Sequence, residues 1–265
     1  MNFRNTIRAF SSLSCIAILA SVAAYGQTEV KGKVIFKGTP PRLRAISMEA
    51  DPACVAKHSG PVYPETVTMK ADGSLKDVFV YVSKGLQGKT FPVPSTPVAL
   101  DQDGCMYSPH VFGIMAGQVL KVVNSDSTTH NVHALAEVNP EFNVGQRAGQ
   151  PPIEKTFAKP EVTVPIVCNQ HPWMKAVAHV ISNPYYAVSD ADGSFDIKGL
   201  PPGTYTITAV HEKFGTISQT VTVASGKPVP PVKFTFQAGQ TSEASPLKNM
   251  PAEMIDDVAA NEMRR

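Results

Sequence analysis

The chain has 265 residues, of which 17% are charged, and a formal net charge of +2. That length allows one or two domains with a real hydrophobic core. So low and balanced a charge argues against nucleic acid as the main partner, since such proteins carry a strongly basic face.

The first segment is read apart from the rest. Arg4 and Arg8 precede the apolar run CIAILASVAA (15–24), which ends in Ala24-Tyr25-Gly26. A charged start, a short apolar stretch and small residues at its end form the pattern of a secretory signal peptide over residues 1–26. The run is too short to cross a bilayer, so no transmembrane segment is expected in the mature chain. The expected location is periplasmic or secreted. Cys15 opens the apolar run instead of following it, which argues against a lipid anchor. Cleavage after Gly26 removes two arginines and no acid, leaving a formal charge near zero.

Cys54, Cys105 and Cys168 then remain. An oxidising compartment favours pairing, and an odd count leaves one thiol over. Cys168 has His171 and Met174 beside it, whereas the other two lack such company. A Cys54–Cys105 disulfide with Cys168 as a ligand is therefore expected. The alternative is a bridge that uses Cys168 and leaves another thiol free.

In chain order, Val30–Phe36 alternates as a strand and stops at Gly38-Thr39-Pro40-Pro41. Asp77–Val82, Val119–Val123, Glu161–Val167 and Val177–Ile181 are apolar and rich in β-branched residues, and His130 opens a further strand. Turn signals separate them at Asp72-Gly73, Asp103-Gly104 and Ala116-Gly117. No helical period persists, so an all-β sandwich or barrel is expected. The polar stretch 140–157 is read as an excursion forming a lid or partner surface. Residues 238–265 read as a tail, with a short amphipathic helix around Met254, Ile255, Val258 and Ala259 as its one structured option.

The composition shifts after Asn183-Pro184. Asp192-Gly193-Ser194-Phe195 and Leu200-Pro201-Pro202-Gly203-Thr204-Tyr205 each place a turn before a strand. This stretch resembles a carboxypeptidase-regulatory, transthyretin-like β-sandwich module over residues 185–237. The resemblance implies a fold and no chemistry.

The chemistry lies in CNQHPWM (168–174). A thiolate, an imidazole and a thioether suit a soft metal, and two His, one Cys and a weak axial Met make the trigonal copper site of electron carriers. A second His must come from outside the loop. His58, His110, His130, His133, His179 and His211 are available. His130 stands at the start of a strand and can share an end of the sandwich with the Cys168–Met174 loop. His133, an odd step along that strand, points to the opposite face. His110, near another strand end, competes with His130.

GQVLKVVNSDSTTHNVHAL (117–135), followed by CNQHPWM, resembles the cupredoxins, and among the small blue copper proteins the amicyanins most. The resemblance implies a Greek-key β-sandwich over 27–184, with an N-terminal extension. It implies one copper ion, cycling between Cu(I) and Cu(II), on His130, Cys168, His171 and Met174. It also implies that Asn131 ties the two ligand loops together. Three features depart from the pattern: a long interval between His130 and Cys168, Ala176 where the amicyanin type has Gly, and the 27–100 stretch with its Cys54–Cys105 link. The plain alternative for the four residues is a core thiol, surface imidazoles and a packing Met.

The expected function is an exported electron carrier with a protein redox partner. His171 is its electron port if the outer edge of the ring reaches solvent, with Trp173 flanking it. The alternative is a copper-storing or envelope-binding accessory protein without redox turnover. No catalytic arrangement competes. His211-Glu212 has no second His at zinc-protease spacing and there is no Gly-rich phosphate loop, so an enzyme is not expected.

Overall fold

A computed structural model describes residues 28–238. The proposed leader and nearly all of the tail lie outside the described residues. The strands run in chain order: β1 (Val30–Lys37), β2 (Phe79–Lys84), β3 (Val98–Asp103), β4 (Met106–Ser108), β5 (Val111–Met115), β6 (Val119–Asn124), β7 (His130–Ala134) and β8 (Phe142–Gln146). They continue as β9 (Ile153–Thr156), β10 (Glu161–Val167), β11 (Lys175–Ile181), β12 (Tyr186–Val188), β13 (Ser194–Ile197), β14 (Gly203–His211), β15 (Gly215–Val223) and β16 (Val232–Gln237). The one helix among the described residues is the single turn α1 (Pro52–Val55), capped by the Asp51 side chain.

The strands form two sandwiches. In the first, a five-stranded sheet (β5-β11-β10-β7-β8) faces a four-stranded one (β4-β3-β6-β9). Leu100, Ile114, Leu120, Val122, Val132, Val164 and Ile166 fill the space between them. β6 shows why: its residues alternate between half-buried and buried, so one face of the strand feeds the core. The polar stretch 140–157 is no lid. It supplies β8 and β9, edge strands of the two facing sheets.

In the second sandwich, β13-β1-β16 faces β12-β2-β14-β15 around Val34, Phe36, Val80, Ile207, Phe234 and Phe236. This is the module expected over 185–237, yet two of its strands come from the N-terminal part of the chain. β1 pairs with β13 and in parallel with β16, and β2 lies between β12 and β14. The first described strand therefore pairs with the last.

The sandwiches meet where Phe79, Val111, Val177 and Ile181 pack with Tyr81 and Tyr186. Gly113 permits that approach, because a Cβ there would lie 2.3 Å from the Tyr186 ring. β11 is accordingly buried along almost its whole length, with apolar contacts on both faces.

Candidate metal centre

Two loops meet at one end of the first sandwich. One joins β6 to β7 and delivers His130. The other joins β10 to β11 and carries Cys168, His171 and Met174. Antiparallel pairing of Val167 with His133 and Ile166 with Ala134 brings these loops together. The buried Tyr107 hydroxyl fixes their bases by donating to Asn131 O (2.5 Å) and Val167 O (3.1 Å). The second loop closes on itself: Met174 N donates to His171 O (2.8 Å) and Cys168 N to Met174 O (3.2 Å).

The side chains converge. His130 Nδ1 lies 2.9 Å from His171 Nδ1, and Cys168 Sγ lies 3.7 Å from the same His171 nitrogen. One donor atom each from His130, Cys168 and His171 fall within 4.8 Å of one another. All three residues are buried, and Met174, fully buried, shares the core with Cys168.

Each ring has a carboxylate behind it. His130 Nε2 is 2.9 Å from Asp126 Oδ2, and His171 Nε2 is 3.0 Å from Asp51 Oδ2. A ring that donates Nε2–H to a carboxylate keeps Nδ1 as an acceptor. Two such nitrogens facing each other beside a sulfur want a proton or a cation between them. The sulfur is prepared in the same sense. Burial pushes the Cys168 thiol up, but bonds from His130, His171 and nearby backbone outweigh it and hold the group at about 6. The thiolate next to it raises His171, against its burial. This donor set fits a soft or borderline cation.

Asn131 links the loops: its Oδ1 accepts from Asn169 N (2.8 Å) and lies 3.4 Å from Cys168 Sγ. Its Nδ2 donates to Asn169 Oδ1 and Asn143 Oδ1.

Cys54 and Cys105 are bridged, and Cys168 is a free, buried thiol. The bridge abuts the site, for a sulfur of each cysteine lies within 4.8 Å of a His171 nitrogen. It is thereby spent as a ligand.

The other histidines lie elsewhere. His110 binds Lys175 O through Nδ1 and Glu212 through Nε2, so both nitrogens are engaged at the seam between the sandwiches. His133 contacts Asn169 and Glu141, and His58 contacts Gly104 O. Burial pushes His179, stacked on Phe79, down to about 3 and His211 down to about 4.

The outer edge of His171 does not reach solvent. The residue is 4% exposed, and Asp51 covers its Nε2. Thr128 and Ala53 N hold Asp51 in place and its carboxyl is depressed by these bonds and by His171. Trp173 packs against the ring (centroids 5.1 Å apart) and donates Nε1–H to Cys105 O. Asp51 was not foreseeable, since it stands 120 residues from His171. Asp126 had a faint signal, an acid four residues before His130 in a turn.

Comparison with known proteins finds likeness over parts of the chain. The model of the carboxypeptidase regulatory-like domain matches residues 176–237. Part of the chain is similar to solved cupredoxins. A copper-containing nitrite reductase from Thermus scotoductus is 22% identical over 39% of this chain and 25% of its own, with a TM-score of 0.31. An amicyanin mutant in its Cu(I) form is 21% identical over 32% of this chain and 81% of its own, with a TM-score of 0.28. A purple cupredoxin from Nitrosopumilus maritimus is 25% identical over 28% and 81%, with a TM-score of 0.25. The chain thus spans a quarter of the nitrite reductase's length. None of the curated proteins matches it in sequence. No helix among the described residues is long and apolar enough to cross a membrane.

Proposed function

We propose that this is an exported type 1 copper protein that carries electrons to or from a protein partner, and not an enzyme. The observation that supports it is the convergence of His130 Nδ1, His171 Nδ1 and the acidified Cys168 thiol in one buried cluster. His130, Cys168 and His171 would hold the ion, with Met174 as the weak fourth donor. Copper bound there would supply one-electron chemistry between Cu(I) and Cu(II). The chain's own part is preorganisation. Asp126 and Asp51 fix the two rings, Asn131 fixes the spacing of the loops, and burial excludes water.

The covered edge of His171 favours a second reading, a copper-storing or accessory protein without turnover. Adding Cu(II) to the purified protein separates the two. A carrier develops an intense thiolate-to-copper colour that is bleached by reductant and restored by oxidant with the metal retained. A storage protein holds Cu(I) without colour and yields it to chelators. Cys168→Ser should abolish the colour, whereas Met174→Leu should keep it and raise the potential. Colour surviving in Cys168→Ser overturns the ligand assignment.

A further inference from the structure

Beside the Cys168–Met174 loop lies a cleft of about 380 Å³, the scale of a small-molecule site. Several parts of the chain wall it, among them the extended segment around Arg42 and Arg44, the loop residues Pro172 and Trp173 with Lys175, and the β14–β15 turn with Lys213. Four permanent cations thus surround one cleft, against a single lining carboxylate, Glu65. The whole chain is nearly neutral, so this concentration stands out from its background. Among the described residues, neither Arg42 nor Lys213 has a carboxylate within ion-pair distance.

His110 lies at the cleft wall and carries its own counterion, Glu212. Burial pulls that imidazole down, but the Glu212 charge and hydrogen bond outweigh it and raise the group to about 9. The two largely answer each other's charge, and Lys175 also acts on Glu212. The rest of the lining holds apolar side chains, the Trp173 ring, Ile46, Leu43 and Met106 among them, beside the hydroxyls of Ser47 and Thr66. Guanidinium groups grip carboxylates by paired hydrogen bonds, and an indole offers a flat face to a planar ligand.

We propose that this cleft binds a small organic dianion with a flat apolar body, of the aromatic dicarboxylate class, against the Trp173 face of the site loop.

Trp173 is the sole tryptophan of the chain, so its fluorescence reports on the cleft directly. Isophthalate is titrated into the purified protein after chelators have stripped it of metal, and calorimetry runs in parallel to register binding that the fluorescence misses. Saturable binding in the millimolar range or tighter is expected. The neutral analogue isophthalamide should bind far more weakly. The double variant Arg42→Ser with Lys213→Ser removes two heads that lie outside the core, so folding is kept, and should weaken isophthalate at least about tenfold. Arg42→Lys alone should fall between, since it keeps the charge and loses the fork. Three results overturn the proposal: no saturable binding by either method, equal binding of the diamide, or undiminished binding by the double variant. The readout uses no metal, so it stands or falls apart from the copper reading.

Discussion

The two sandwiches are built alike and filled differently. The second has a mainly hydrocarbon core, in which Val34, Leu75, Phe195, Ile207, Phe234 and Phe236 hold the strands together and His211 stacks on Phe214. The first encloses a connected polar set. Gln102 Nε2 donates to Gln146 Oε1, Asn124 Nδ2 to Gln146 O, and Asp126 N to Asn124 Oδ1. From Asp126 the set continues through His130 and His171 to Asp51 and Thr128. Buried polar groups cost free energy unless bonded, and a sandwich of this size does not need them for stability. Their concentration at one end of one sandwich marks where burial serves a site instead of a fold.

The contrast can be broken first in the hydrocarbon half. Phe234 is fully buried and packs on Phe195 (5.9 Å between ring centres). Phe234→Ala should cost about 3–5 kcal/mol in denaturant unfolding, as large-to-small changes of aromatic residues do. A loss well under that range would mean the second sandwich is not held by its core.

Next comes the staple of the polar half. The Cys54–Cys105 bridge closes a loop with a sequence separation of 51. Replacing both cysteines by Ala should cost about 4 kcal/mol on loop entropy, less whatever structure the unfolded loop retains. It should also loosen Asp51, three residues from Cys54, and with it the hold on His171. An unchanged copper affinity in this variant would show that Asp51 positions the ring without help from the bridge.

The smallest effect lies at the seam. His110 is raised to about 9 in the fold from 6.5, so its contribution is complete below about pH 6.5 and is lost as pH rises through about 9. Glu212 is lowered, burial notwithstanding, because His110 and its hydrogen bond favour the charged form. Its contribution is lost only in acid. The melting temperature should therefore decline between about pH 6.5 and about pH 9, and His110→Gln should flatten that decline. An unchanged slope in the variant would assign the alkaline limb to other groups.

What was legible in the sequence was local. β1, β2, β6, β10 and β11 follow from alternation and β-branching, because the side-chain period of a strand is written into consecutive residues. The convergence of Cys168 with His171 was legible for the same reason, as one short loop holds both. His130 needed a tertiary inference, and the choice over His110 rested on a loop pattern. Asp51 and Glu212 were not legible: a lone acid in a loop or hairpin says nothing of a ring 120 or 102 residues away. Nor was the place of β1, since its alternation specifies a buried face and not the neighbour it pairs with. The strands within 140–157 were not legible because edge strands carry weak apolar patterns; β8 and β9 alternate only between half-buried and exposed over most of their length.

The parallel register of Gly32 with Val232 sets an order in time. β1 is among the first described strands to be synthesised, and its partner β16 follows some 200 residues later. At about 5–20 residues per second, the delay is on the order of tens of seconds. Until β13 and β16 are made, the sequence VKGKVIFK lacks both of its strand partners and resembles the segments that pair with other copies. Lys31, Lys33 and Lys37 interrupt it, all exposed in the finished sheet. Charges at those positions add little to the folded protein, but they keep an unpaired strand from pairing with another copy. Replacing them with threonine would leave the final structure almost untouched and endanger the route to it.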